Sequence, residues 1–304
     1  MKAGLAIAGL VLASGIGLAN ILPAEAQQQQ QRTLQSDGIE RSFLLLGAGP
    51  GAPRPLVLAL HGNGGSAEQL LRHAPWASLV LTGGLVLAFP DGLNRSWADG
   101  RSDREFRGRK PPAGLSDVAF LTSLVETLVR EGVADRRRIY VAGVSNGGMM
   151  ALRLLCDRPD MFAAGAAIIS SLPESSSARC RPARPVPLLL MNGTNDRLVP
   201  DQPVPGRFLG TDGTAAFWQR INRCGPSGPA RDLPDLDPTD GSRVTVSEAQ
   251  CPPGQDVVIY RVVGGGHQMP SASGPSRFER VLGPRNRDIE GTEVIWSFVR
   301  KFSR

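Results

Sequence analysis

Apolar residues in this chain fall into short unbroken runs, separated by longer stretches where apolar and polar positions mix. The runs are residues 55–60 (Pro-Leu-Val-Leu-Ala-Leu), 85–89, 139–142, 163–169, 186–191 and 257–263, with 39–46 as a first strand ahead of them. Runs of this length without alternation suit strands buried on both faces, as in a parallel sheet. Helical patterns lie between them. One, over 66–81, opens on Ser66. A second, over 117–130, opens on Asp117 as cap and carries Val118, Leu121, Leu124, Val125 and Leu128 on one stripe. Others cover 146–157, 214–222 and 290–302. Strands alternating with helices predict one α/β domain over 38–304, with a mostly parallel, doubly wound sheet and helices on both faces. Residues 27–37 are polar and read as a flexible N-terminal segment. Two polar stretches, 94–116 and 225–254, read as long loops, and loops of that length in a compact domain usually cover or insert near a site.

The first residues change this picture. Met1-Lys2 is followed by an apolar stretch to Leu22 and then Ala24-Glu25-Ala26. A basic start, a short apolar core and an A-x-A exit predict a signal peptide over 1–26, with cleavage after Ala26 and export of the rest. Nothing later approaches the length of a membrane span. The formal net charge is +6, but its arginines are interleaved with acids, as in 135–138 and 101–110. That argues for a solvated surface and against a nucleic-acid face. The four cysteines, Cys156, Cys180, Cys224 and Cys251, lack the C-x-x-C spacing of a zinc or redox site. An even count in an exported chain predicts disulfides, with three pairings open. Sequential pairing would close two loops of similar length.

Chemistry enters at Gly143-Val-Ser145-Asn-Gly147. With 36 glycines in 304 residues, G-x-S-x-G alone is weak, but here a strand-like run enters it and a helix-like run leaves it. A serine on a sharp strand-to-helix turn holds its hydroxyl out at the sheet edge, and glycines two positions either side relieve the crowding. The helix then aims its positive end at the reacting carbonyl. The Asn146 N–H would be one oxyanion donor. A hydroxyl needs a base, and there are three histidines. His267, in a Gly-rich loop after the last apolar run, is expected to be that base; His61 and His73 read as structural. The acid should lie between serine and histidine in the chain. Asp196, after the 186–191 strand, is preferred to Asp201. The glycine-rich stretch after the 55–60 strand offers further oxyanion N–H groups at Asn63 and Gly64.

Leu60-His-Gly-Asn63, Phe89-Pro-Asp-Gly92, Trp97, 117–121, 143–149, Gly193-Thr-Asn-Asp196, 264–267 and Ile295-Trp-Ser-Phe298, in this order, resemble the exported esterases that group polyhydroxybutyrate depolymerases with feruloyl and acetylxylan esterases. The resemblance covers most of the mature chain. It implies an α/β-hydrolase fold and hydrolysis of carboxylic esters through a Ser145 acyl-enzyme, with His267 and Asp196 in support. It implies bridges pairing Cys156 with Cys180 and Cys224 with Cys251, and no metal or organic cofactor. The family often has tryptophan two residues after the histidine; Met269 stands there, a flexible thioether in place of a flat wall. Trp97 and Met269 are the residues expected to touch the acyl group, with a packed aromatic as the other reading of Trp97. With no further module after Arg304, soluble, oligomeric or polysaccharide side-chain esters are expected over crystalline polyester. The partner expected is thus an ester substrate, with no nucleic acid and no stable membrane insertion; a peptidase on the same fold and a non-catalytic binding protein are the rivals. A net-positive loop over 94–112 reads as a solvated loop, or as a feature favouring anionic substrates.

Overall fold

The computed structural model describes residues 29–102, 108–273, 276 and 278–304. The expected signal peptide over 1–26, the cleavage site, and Arg104 and Arg107 of the basic loop lie outside the described residues. Ten strands form one mixed sheet: β1 (Gln30–Ser36), β2 (Ile39–Leu46), β3 (Arg54–Leu60), β4 (Val86–Pro90), β5 (Ala134–Val144), β6 (Ala164–Ile168), β7 (Leu188–Gly193), β8 (Arg231–Asp232), β9 (Arg243–Glu248) and β10 (Val257–Val263). Their order is β1-β2-β4-β3-β5-β6-β7-β10-β9-β8. The six strands from β4 to β10 run parallel, and antiparallel pairs flank them on both sides. These six are the unbroken apolar runs of the sequence, and the fold is that of an α/β hydrolase.

Helices cover both faces. On one lie α3 (Asp117–Arg130), α4 (Asn146–Asp157) and α6 (Gly210–Ile221), contributing Leu121, Leu124, Leu152, Leu155 and Trp218 to the larger core. On the other lie α1 (Ala67–His73), α2 (Trp76–Gly83) and α8 (Gly291–Val299), with Leu70, Trp76, Trp296 and Val299. The single turns α5 (Glu174–Ser177) and α7 (Glu279–Leu282) sit in connections. No helix among the described residues is long and apolar enough to cross a membrane.

Four expectations are corrected. The segment read as flexible over 27–37 contains β1, an edge strand whose residues alternate between half-buried and exposed. Its polarity belongs to an edge, and Asp37-Gly38, with φ of 52° and 73°, supplies the left-handed pair that a tight hairpin requires. The helix expected over 66–81 is two, α1 and α2. Pro75 divides them: it lacks an N–H, and Ala74 before it is extended at φ −150°. Ser116, not Asp117, caps α3 by accepting from the Ala119 N–H at 3.2 Å. Asp117 is instead buried against Arg41 at 2.7 Å. Lastly, the loop expected over 225–254 contains β8 and β9, where Val244 and Val246 alternate inward while β9 pairs with β10.

The cysteines pair sequentially, Cys156–Cys180 and Cys224–Cys251. The first ties the C-terminal end of α4 to the chain after α5. The second ties the residues after α6 to the stretch before β10.

Candidate active site

Strand β5 ends at Val144, and α4 begins at Asn146; Ser145 is the turn between them. It sits at φ 57°, ψ −120°, a conformation that L-residues rarely adopt. The neighbourhood holds it there. The Ser145 N–H donates to the Ile168 carbonyl at 2.9 Å, and the Ser145 carbonyl accepts from the Met149 N–H at 3.0 Å and the Ser170 hydroxyl at 3.0 Å. The Ser170 N–H in turn donates to Asn192, whose amide also reaches Thr211 at 2.9 Å. The two flanking glycines are required. A Cβ on Gly143 would stand 2.1 Å from the Gly147 carbonyl oxygen, and one on Gly147 would stand 2.3 Å from that of Leu60.

Asp196 lies three residues beyond β7 and His267 four beyond β10. Because β7 and β10 are neighbours in the sheet, their C-terminal connections bring the two side chains together. His267 Nδ1 lies 2.6 Å from Asp196 Oδ2, and Nε2 lies 2.9 Å from Ser145 Oγ. Asp196 is buried; its Oδ1 accepts from the N–H groups of Leu198 and Val199 at 2.8 and 2.9 Å. The glycine-rich histidine loop is pinned: the His267 N–H donates to the Leu282 carbonyl at 2.6 Å and the Asn195 N–H to that of Gly265 at 2.9 Å. The rival Asp201 faces Arg261 at 3.2 Å.

The remaining histidines are structural. His61 accepts from the Gly92 N–H at Nε2 (2.9 Å) and contacts its neighbour's carbonyl through Nδ1 (2.8 Å). Burial pushes its pKa below the usual histidine value. His73 is exposed and meets Phe278 edge to face.

Of the expected oxyanion donors, the structure separates Gly64 from the others. Its N–H donates to the Arg95 carbonyl at 2.7 Å, so it is not available to a substrate. Arg95 and Asn94 both take positive φ (59° and 53°), and this turn presents that carbonyl. The N–H groups of Asn63 and Asn146 donate to no described residue. As the first residue of α4, Asn146 has no intrahelical acceptor for its N–H. Trp97 is also corrected as an acyl-contacting residue. It is 0% exposed, its Nε1–H donates to the His61 carbonyl at 2.8 Å, and its ring packs beside His61 at 4.9 Å. Met269 is half-buried, with its side chain against Gly291.

Sequence reasoning missed the wall behind these donors. The buried Asn146 amide is held by the Trp97 N–H (2.8 Å), the Trp97 carbonyl (3.1 Å) and Asp99 (2.6 Å), and Arg101 grips Asp99 at 2.7 Å. Arg41 and Asp117 sit just beyond, with Asp117 accepting from the Ala98 N–H at 2.7 Å. Only the mixture of arginine and aspartate in 94–116 hinted at such pairing. No cluster of three or more His, Cys, Asp or Glu residues suited to a metal occurs among the described residues.

A serine, an imidazole and a carboxylate in one hydrogen-bonded chain at the carboxyl edge of a parallel sheet can carry out acyl transfer. Proteins of similar sequence are named esterases. "Putative esterase NocK" of Nocardia uniformis subsp. tsuyamanensis is 34% identical over 275 residues, covering 84% of this chain and 78% of the relative. The chain belongs to this esterase family. It is a carboxylic-ester hydrolase of the α/β-hydrolase type. Feruloyl esterase B of Piromyces equi is 28% identical over 259 residues, which span 82% of this esterase but 42% of the longer fungal protein. The prolyl oligopeptidase family model matches residues 113–173, the α3–β5–α4–β6 segment. Among solved structures, a thermostable esterase superposes with a TM-score of 0.59 at 18% identity, over 92% of this chain and 64% of the other; that likeness concerns the fold.

Proposed function

We propose that the protein is a secreted serine esterase that hydrolyses short-chain, polysaccharide side-chain (acetyl or feruloyl) or hydroxyalkanoate oligomer esters through an acyl-enzyme on Ser145. The observation that carries this reading is the chain Ser145 Oγ–His267 Nε2, 2.9 Å, and His267 Nδ1–Asp196 Oδ2, 2.6 Å. As Oγ attacks the ester carbonyl, His267 Nε2 takes its proton. The carbonyl electron pair moves onto oxygen, where the Asn63 and Asn146 N–H groups donate to it. Collapse of that adduct breaks the bond to the alcohol, which leaves with the proton from His267. Water then repeats the sequence on the acyl-enzyme and releases the acid. Asp196 accepts from His267 Nδ1–H throughout, keeping Nε2 free to act as base. Met269, beside the histidine, is the side chain proposed to touch the acyl group.

Two disulfides and the signal-like first 26 residues support export, and N-terminal sequencing of the mature protein should begin at Gln27. The decisive test is a panel of p-nitrophenyl acetate, methyl ferulate, acetylated xylan and hydroxybutyrate oligomers. Short acyl esters should be cleaved. A fluorophosphonate probe should label the wild type and not Ser145→Ala, whose kcat should fall by about 10⁶. No turnover of any ester, or undiminished labelling of Ser145→Ala, would overturn the reading. The match to the prolyl oligopeptidase family favours one second reading, a peptidase. It predicts faster cleavage of an aminoacyl amide than of the matching ester.

A further inference from the structure

We propose that Ser96 is a positioning residue that fixes the separation of the two oxyanion donors, an inference resting on the reading of Asn63 and Asn146 as those donors. The two come from different elements: Asn63 from the loop after β3, Asn146 from the start of α4 after β5. A pair of N–H groups stabilises a developing oxyanion only when both stand about 2.7–3.1 Å from one point. Donors on separate strands therefore need a brace.

The Ser96 hydroxyl is placed to be that brace. The residue is fully buried. Its Oγ accepts from Asn63 Nδ2 at 2.9 Å and donates to Asn146 Oδ1 at 3.4 Å. A hydroxyl has one proton and two lone pairs, so it makes both bonds at once; alanine makes neither. The other polar atoms of the two amides are anchored to the same loop. Asn63 Oδ1 accepts from the Arg109 N–H at 3.1 Å, and its Nδ2 also donates to the Arg109 carbonyl at 2.6 Å. Asn146 is fixed by Trp97 and Asp99. Ser96 is thus the one side chain among the described residues bonded to both. Its backbone N–H is anchored to the Leu93 carbonyl at 3.1 Å. Among the described residues no hydrogen bond joins Ser96 to Ser145, Asp196 or His267, so its removal leaves the nucleophile and base in place.

The donors act chiefly once charge has developed, so the effect belongs in kcat. With p-nitrophenyl acetate, Ser96→Ala should lower kcat about tenfold, well short of the roughly 10²–10³ expected for losing a whole donor, with KM within about twofold. A trifluoromethyl ketone, whose adduct carries the oxyanion, should bind Ser96→Ala about tenfold more weakly. Fluorophosphonate labelling should still occur. Ser96→Thr, which keeps the hydroxyl, should recover most of both losses. The inference is overturned if Ser96→Ala retains wild-type kcat, if only KM moves, if ketone affinity is unchanged, or if threonine is as impaired as alanine. An inactive wild type fails the esterase reading and this inference with it; an active wild type matched by Ser96→Ala fails this inference alone.

Discussion

The turn at Ser145 and the β1 edge are both backbone features that a few residues decide, yet they are held by different forces. At the turn, three stretches of main chain come so close that a single added carbon on Gly147 would meet the carbonyl oxygens of Leu60 and His61 at 2.3 and 2.5 Å. Nothing there can yield, because the surroundings are buried backbone. At the edge, β1 is held by its hydrogen-bonded pairing with β2 and by an exposed ion pair between Arg32 and Glu131 at 2.7 Å. Glu131 has its pKa lowered by that hydrogen bond from Arg32. The difference teaches that at the turn steric exclusion by buried backbone adds a constraint that the hydrogen-bonded edge lacks.

That contrast can be broken from either side. Gly147→Ala should lose about 4 kcal/mol of stability, read as a large drop in denaturation midpoint, and abolish activity; a folded, active variant would show that the backbone there can give way. Asp117→Asn should lose about 3 kcal/mol, because it leaves the Arg41 guanidinium buried at 1% exposure without its countercharge. His61 gives a smaller, pH-dependent effect. Burial holds its folded pKa below the ordinary histidine value of 6.5, so the unfolded chain binds the proton more readily. Stability should therefore be complete above about pH 6.5 and decline as pH falls through the folded pKa. His61→Gln should flatten that part of the stability–pH curve. Arg32→Ala should change stability by less than about 1 kcal/mol and leave turnover unaltered. A drop as large as that at Asp117 would mean the edge is held as tightly as the turn.

The parallel core was legible because its strands are continuous apolar runs, and the Ser145, Asp196 and His267 positions because each follows such a run directly. β1 was hidden because an edge strand satisfied on one side can be polar, although Asp37-Gly38 marked its hairpin. β9 was legible in principle, as Val244 and Val246 alternate with polar residues, but proline and aspartate around it masked the signal. The wall formed by Ser96, Asp99 and Arg101 was legible only as a mixture of arginine and aspartate, without its partners. Its partners, Asn63 and Asn146, lie 33 and about 50 positions away, and local pattern carries no information over such distances. The same holds for Gly64, whose N–H is claimed by a carbonyl 31 positions on.

The φ of 57° at Ser145 has one more consequence. Glycine adopts that conformation freely, whereas an L-residue there is strained by roughly 1 kcal/mol or more. Ser145→Gly should thus melt higher than the wild type while hydrolysing nothing. Selection for durability and selection for turnover pull against each other at this one residue, so a screen that rewards thermostability without an activity readout would tend to enrich dead enzyme.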